Sequence, residues 1–219
     1  MITNKNDGKV IVFENEKMGY SFDIATGKLI NVFSKTTNWT LIKRVERAKS
    51  LSLLVPRKDR RNKLVEGGTP TKVNIFDHSV EFIYDTVISK FGGEHKIKVV
   101  TSFKLDEEMG TFNCYIDNQS DLIVENVCYP IIDDFTKPDD EEKFYEFNIS
   151  YSNVEKWPIY PEFTNRVGYW GSDTPIQFAF HAPHNMFHML IGEKQGVYIG
   201  LGEKTNDIAT WKIQLFPGY

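Results

Sequence analysis

APHNMFHMLIGEKQGVYIGLG, residues 182–202, is the stretch of sequence that decides the fold. Apolar residues of Ala182–Ile191 precede a turn that we place at Gln195-Gly196, and Val197, Tyr198 and Ile199 follow it. Apolar runs on both sides of a glycine-bearing turn predict two strands joined as a hairpin. Gly196, Gly200 and Gly202 of the second strand are at even-numbered positions, as is Tyr198.

The same pattern recurs along the chain, and helix patterns of convincing length are absent. Alternating polar and apolar residues give each predicted strand one buried face and one solvent face. Many such strands in succession predict an all-β protein of stacked antiparallel sheets. The strand candidates are Lys9–Glu14, Gly19–Ile24, Leu29–Ser34, Trp39–Lys43, Leu51–Val55, Ser79–Asp85, Lys96–Leu105, Thr111–Asp117, Leu122–Tyr129, Tyr145–Tyr151 and Asp207–Leu215.

Two stretches lack the alternation and are predicted to be loops. Pro130–Lys143 is acidic, and we interpret it as a solvated loop. Asn153–Ser172 is rich in proline, tyrosine and tryptophan, and we interpret it as a long ordered loop. Loops of that length in a compact domain are often functional.

Composition narrows the function classes. The 219 residues have a net charge of −4, which argues against nucleic acid because phosphate binding needs a basic face. No apolar run has the length of a signal peptide or a membrane span, so we expect a cytoplasmic protein without membrane contact. Cys114 and Cys128 are interpreted as two buried thiols, with a disulfide as the alternative.

Three motifs, in order, carry a family resemblance. The first is Glu14-Asn15 followed by Asp23, Thr26, Gly27 and Leu29; the second combines Ile116–Asp121 with Val127–Pro130; the third is the hairpin of Met186–Ile191 and Gly196–Gly202. Together they cover most of the chain. In this respect the chain resembles the N-terminal β-sandwich domain that precedes the catalytic barrel in several bacterial glycoside hydrolases.

The resemblance implies a two-sheet antiparallel supersandwich of the galactose mutarotase-like type. It also implies a single domain over residues 1–219, carbohydrate as a partner, and a downstream catalytic domain in the same polypeptide that holds the catalytic residues. The chain departs from the family at Gly202-Glu203-Lys204, where an aspartate is common. This departure weakens the expectation of an edge contact to the barrel.

Histidines and carboxylates provide the candidate chemistry within the chain. His184 and His188 have the i,i+4 spacing of zinc ligands, but the glutamate of a zincin motif is missing and the flanking pattern is that of a strand, so we expect no metal site. For a mutarotase-like enzyme, His181 or His184 would be the general acid and Glu193 or Glu203 the general base. The carboxylates of Pro130–Lys143 all lie on one loop, unlike the opposed pair of a glycosidase.

Aromatic side chains complete the predicted site. Sugars pack their C–H faces on aromatic rings, and pockets that mix such rings with polar groups are typical ligand sites. The predicted substrate-binding residues are Trp157, Tyr160, Trp170, His181 and His184, with Tyr169 beside them. The alternative for the aromatic rings is that they cover the end of the sandwich or pack on a neighbouring domain. No nucleotide-binding motif is present, and we expect no cofactor. The leading hypothesis is a non-catalytic module of a glycoside hydrolase; the alternatives are an aldose-epimerase-like enzyme and a carbohydrate-binding or structural module.

Overall fold

The computed structural model describes residues 2–56, 62–89, 93–141, 143–150, 153–160, 176–181, 187–202 and 210–215. For residues 47, 62–64, 146, 148–150, 153–160, 176–181 and 210–215 the description is limited to the backbone. The chain divides into two compact units, residues 1–136 and 137–219, and each is described by itself. The expectation of one domain over residues 1–219 stays a prediction.

The described part of the first unit consists of β-strands and one short 3-10 helix, Val45–Arg47. The strands are β1 Thr3–Asn6, β2 Val10–Glu14, β3 Met18–Asp23, β4 Leu29–Ser34, β5 Trp39–Thr40, β6 Ser52–Pro56, β7 Asn62–Glu66, β8 Lys72–Ile75, β9 Ser79–Tyr84, β10 Val87–Ser89, β11 Glu94–His95, β12 Ile97–Leu105, β13 Gly110–Asn118 and β14 Asn126–Cys128.

These strands form three sheets, and neighbouring strands pair antiparallel. The first sheet is a meander in the order β1-β2-β3-β4-β5. The second has the order β13-β12-β9-β8, and the third has the order β11-β10-β7-β6-β14. Antiparallel pairs between successive strands need only short connections, which agrees with the closely spaced strand patterns of the sequence.

The first and second sheets pack face to face through aromatic side chains. Phe22 of β3 lies with its ring centroid 5.0 Å from that of Phe103 on β12 and 5.9 Å from that of Phe82 on β9. Phe13 of β2 lies 5.7 Å from Phe103. These four rings are almost completely buried, and each buried phenylalanine stabilises the fold by about 2 kcal/mol through transfer from water. This layer is a β-sandwich core.

The second unit has six described strands: β15 Phe144–Ser150, β16 Asn153–Tyr160, β17 Ile176–His181, β18 Phe187–Ile191, β19 Gly196–Gly200 and β20 Thr210–Leu215. Four of them form an antiparallel sheet in the order β16-β15-β18-β19. The other two, β17 and β20, pair with each other.

The all-β antiparallel fold predicted from the sequence is confirmed. Among the individual strands, Leu29–Ser34 is confirmed without a change of bounds. The expectation of a loop over Asn153–Ser172 is wrong in its first part, since Asn153–Tyr160 is β16. Among the described strands, β16 is at the edge of its sheet, and an edge strand tolerates Pro158 because one of its sides needs no hydrogen-bond donor. Residues 161–172 lie outside the described residues.

A second correction concerns Leu122–Tyr129, of which only Asn126–Cys128 is a strand. The preceding residues are held in a turn by Asn118. Its side-chain Nδ2 donates to the Leu122 carbonyl at 2.6 Å, and its Oδ1 accepts the Ser120 N–H at 3.0 Å. Local side-chain bonds of this kind compete with strand pairing.

Candidate functional site

The candidate site of the second unit is the hairpin of β18 and β19. Cross-strand pairs run from Phe187 opposite Gly200 to Ile191 opposite Gly196. The Gly192 N–H donates to the Gln195 carbonyl at 2.8 Å, which leaves Glu193 and Lys194 at the tip. The hairpin is confirmed, but its turn is centred on Glu193-Lys194 and not on Gln195-Gly196 as the sequence predicted.

Glu141 holds this turn from a different part of the chain. Its carboxylate is buried, with Oε2 accepting the Glu193 N–H at 2.9 Å and Oε1 accepting the Lys194 N–H at 2.8 Å. Gly192 has no room for a side chain, because a Cβ there would lie 2.5 Å from the Glu141 carboxyl carbon. The position of the turn is therefore fixed by a contact that is more than 50 residues distant in sequence.

The environment of Glu141 favours its ionised form. Burial raises the pKa of the carboxyl group, but hydrogen bonds from the backbone N–H groups of Glu193, Lys194 and Gln195 lower it by more than burial raises it. The pKa of Glu141 therefore lies below its ordinary value. Lys137 supports the same segment, since its Nζ donates to the Glu141 carbonyl at 2.5 Å.

Asp140 adds an exposed ion pair beside this buried carboxylate. Lys194 Nζ lies 3.1 Å from Asp140 Oδ2, and Gln195 Nε2 donates to Asp140 Oδ1 at 3.2 Å. Hydrogen bonding from Lys194 lowers the pKa of Asp140. Both charged side chains are more than half exposed, so their pairing contributes little to stability.

The interpretation of Pro130–Lys143 as a solvated loop is thus wrong for two of its carboxylates. Glu141 is engaged with the hairpin turn in the second unit. Within the first unit, Asp134 has a side chain only 3% exposed that accepts the Arg44 N–H at 2.8 Å and the Arg44 Nε–H at 2.6 Å. Asp139 and Asp140 are exposed, as expected.

Two aromatic rings stack on the hairpin. The ring centroids of Phe187 and Tyr198 are 5.6 Å apart with 28° between the ring planes. Tyr198 is 63% exposed, whereas Phe187 is half-buried. Sequence reasoning missed this pair, although the signal was present: Tyr198 has a glycine two positions away on each side.

His188 points to the other side of β18, because side chains alternate along a strand. It is 3% exposed, and burial lowers its pKa to about 4. The imidazole is therefore neutral near pH 7.

The five predicted site residues differ in how the structure places them. Trp157 and Tyr160 are on β16, opposite Glu146 and Phe144. His181 is the last residue of β17, opposite Thr210, in the two-stranded sheet. For these three the description is limited to the backbone. Trp170 and His184 lie outside the described residues, as do Tyr169 and Glu203, so their grouping stays a prediction.

Within the described ranges, no group of three histidine, cysteine, aspartate or glutamate side chains could hold a metal ion. The part of the chain that the structure covers also lacks a helix with the length and apolar character that a membrane crossing requires. Cys114 and Cys128 are free thiols, and burial raises the pKa of Cys114 to about 12. A scan against protein-family models finds none that matches this chain, and a search of the curated proteins finds no match either.

Proposed function

We propose that residues 1–219 form a non-catalytic β-sandwich module of a glycoside hydrolase. The module supports a catalytic domain further along the same polypeptide and contacts carbohydrate. The observation behind this proposal is that described residues of each of the three motifs form turns or join strands.

The first motif closes the hairpin between β3 and β4. The Gly27 N–H donates to the Asp23 carbonyl at 2.8 Å, and Thr26 Oγ1 bonds the Asp23 carboxylate. Gly27 has a φ of +69°, and a Cβ there would lie 2.1 Å from Tyr84 Oη. The motif glycine thus allows both the turn and a close approach of β9 to it.

Asn15, in the same motif, connects two hairpins through its side-chain hydrogen bonds. Asn15 Oδ1 accepts the N–H groups of Lys17 at 2.8 Å and Met18 at 2.7 Å, and its Nδ2 donates to the Asp106 carbonyl at 2.8 Å. One asparagine therefore shapes the β2–β3 turn and joins it to the β12–β13 turn. This joins the first and second sheets at one end of the sandwich core.

The second and third motifs act in the same way. Asn118 shapes the turn after β13 through its bonds to Ser120 and Leu122. In the third motif, Gly196 and Gly200 are the first and last residues of β19. The turn that joins β19 to β18 donates two N–H groups to Glu141. These motif residues build turns and strand contacts, which supports a structural role for the module.

Turnover by the chain alone is the test of this proposal. Residues 1–219 are assayed with a panel of p-nitrophenyl glycosides, and by polarimetry with freshly dissolved α-D-glucose and α-D-galactose. We expect neither glycoside hydrolysis nor mutarotation above the spontaneous rate. We expect hydrolysis only from the longer polypeptide that contains the catalytic domain.

Two results would overturn the proposal. Mutarotation catalysed by residues 1–219 would identify an aldose-epimerase-like enzyme and remove the non-catalytic role. Hydrolysis by residues 1–219 alone would show that the catalytic residues lie within this chain.

A further inference from the structure

We propose that the exposed face of the β18–β19 hairpin is a stacking platform for a neutral saccharide, centred on Tyr198. The platform consists of Tyr198, Phe187 and Met189, with Gly196 and Gly200 beside the tyrosine. This inference rests on the proposed function, because it names the carbohydrate contact of the module. It assigns that contact to residues outside the set predicted from the sequence.

The hydroxyl end of the Tyr198 ring lies over Gly200 of its own strand. A Cβ at Gly200 would lie 2.6 Å from Tyr198 Oη and 2.8 Å from Tyr198 Cε1, so the ring occupies the space above that glycine. The ring also stacks on Phe187 of the neighbouring strand. Since 63% of the residue is exposed, much of the ring surface is open to solvent.

Gly200 leaves room for the ring, whereas the atoms nearest to a Cβ at Gly196 would belong to Leu190 and Ile191 and not to Tyr198. Gly196 and Gly200 are two positions before and after Tyr198, and therefore on the same side of β19. Gly200 lacks the positive φ found at other glycines of the chain, so its backbone conformation does not require glycine. A glycine within a strand weakens the strand, and it often marks a place where a group approaches the backbone closely. Here the tyrosine ring makes that approach.

The neighbouring strands extend the same surface. Met189 is directly opposite Tyr198, and Phe147 of β15 is opposite Met189. Both side chains are half-buried. The result is an apolar row across three strands with the exposed tyrosine at its outer end. Exposed apolar surface of this kind marks interaction sites.

The charges near the hairpin favour an uncharged ligand. Lys194, in the turn that precedes β19, is paired with Asp140 at 3.1 Å. Glu141 is engaged with the turn, and Glu193 at the tip is exposed. Together the described charged groups at the turn, Asp140, Glu141, Glu193 and Lys194, have a net negative charge, which disfavours phosphates and uronic acids. A neutral saccharide, which offers a C–H face to the ring and hydroxyl groups to the polar turn, fits both the shape and the charge.

Affinity electrophoresis of the full chain tests the platform. Native gels contain xyloglucan, galactomannan, arabinoxylan or soluble starch, and retardation against a gel without polysaccharide gives the dissociation constant. The variants are Tyr198→Ala, Tyr198→Phe and Gly200→Ala. Tyr115→Ala is the matched control, because Tyr115 is an equally exposed strand tyrosine at 65%. Circular dichroism confirms the fold of each variant.

We expect retardation by at least one polysaccharide and a dissociation constant at least tenfold higher in Tyr198→Ala. Tyr198→Phe keeps the wild-type value because the ring is retained. Gly200→Ala weakens binding several-fold because its Cβ lifts the ring. Tyr115→Ala has no effect.

Retardation of Tyr198→Ala equal to that of the wild type would overturn the platform while leaving carbohydrate contact by other residues intact. Absence of retardation in all four gels would overturn both the platform and the carbohydrate contact, whereas the support role is tested separately by turnover. A dimer in size-exclusion chromatography that Tyr198→Ala converts to a monomer, without retardation, would make this face an interface between two copies and would also overturn the platform.

Discussion

The contact between Glu141 and the hairpin turn gives a prediction that separates two neighbouring carboxylates. Glu141→Gln keeps the size of the side chain but removes its charge and one of its two acceptor oxygens. Hydrogen bonds to a charged group contribute about 1.5–3 kcal/mol each. Since Glu141 accepts two backbone N–H groups, at 2.8 and 2.9 Å, we expect local opening of the turn to become easier by about 2–3 kcal/mol.

Hydrogen exchange of the Glu193 and Lys194 amides measures this change directly. A loss of 2–3 kcal/mol corresponds to exchange that is faster by about 30- to 150-fold. The pKa of Glu141 lies below its ordinary value of 4.5, so the wild-type protection is present above about pH 4.5 and is lost as the pH falls through the folded-state pKa. Glu141→Gln is expected to lack this pH dependence.

Asp140→Asn is the matched control. Asp140 is adjacent in sequence and bonds the same turn, but through the side chains of Lys194 and Gln195 and not through backbone N–H groups. We expect no measurable change in the exchange of the two amides in this variant. Equal acceleration in Asp140→Asn and Glu141→Gln would refute the reasoning that the buried carboxylate fixes the turn.

Three further predictions concern stability and reactivity. Burial lowers the pKa of His188 from 6.5 to about 4, so the free energy of unfolding should fall by about 3 kcal/mol as the pH drops from about 6.5 to about 4. Urea titrations at a series of pH values measure this loss, and the same pH dependence in His188→Gln would contradict it. Phe22→Ala should destabilise the first unit by about 3–5 kcal/mol because it leaves a cavity between Phe82 and Phe103, and a urea midpoint equal to that of Tyr115→Ala would refute the sandwich core. Cys114, whose pKa burial raises to about 12, should react with iodoacetamide at pH 8 only after unfolding, and peptide mapping that finds rapid labelling of the native protein would show the opposite.

The strands were predictable where one face is buried, since alternation then appears in the sequence. The nine-residue strand Ile97–Leu105 is an example: its odd-numbered residues are buried and its even-numbered ones are more exposed. The edge strand β16 was missed because its sequence has no regular alternation and contains Pro158. The turn of the β18–β19 hairpin was misplaced by two residues because a distant carboxylate positions it, and local sequence contains no sign of such a contact.

The candidate site was harder to predict than the fold. The Pro-, Tyr- and Trp-rich segment predicts a functional loop with aromatic site residues, whereas the sequence pattern around Tyr198 predicts only a strand of the hairpin. Its exposure and its stacking on Phe187 follow from strand pairing and from the space above Gly200. The charge of Glu141 gave no indication of burial, because burial depends on backbone donors more than 50 residues away.

The size of the polypeptide in its own cells tests the central claim most directly. Antibodies raised against residues 1–219 would recover the native protein for intact mass measurement and peptide mapping. The proposed module predicts a polypeptide well above the 25.4 kDa of this chain, with further residues after Tyr219 that contain the catalytic domain. A native polypeptide of 25.4 kDa that ends at Tyr219 would contradict the claim.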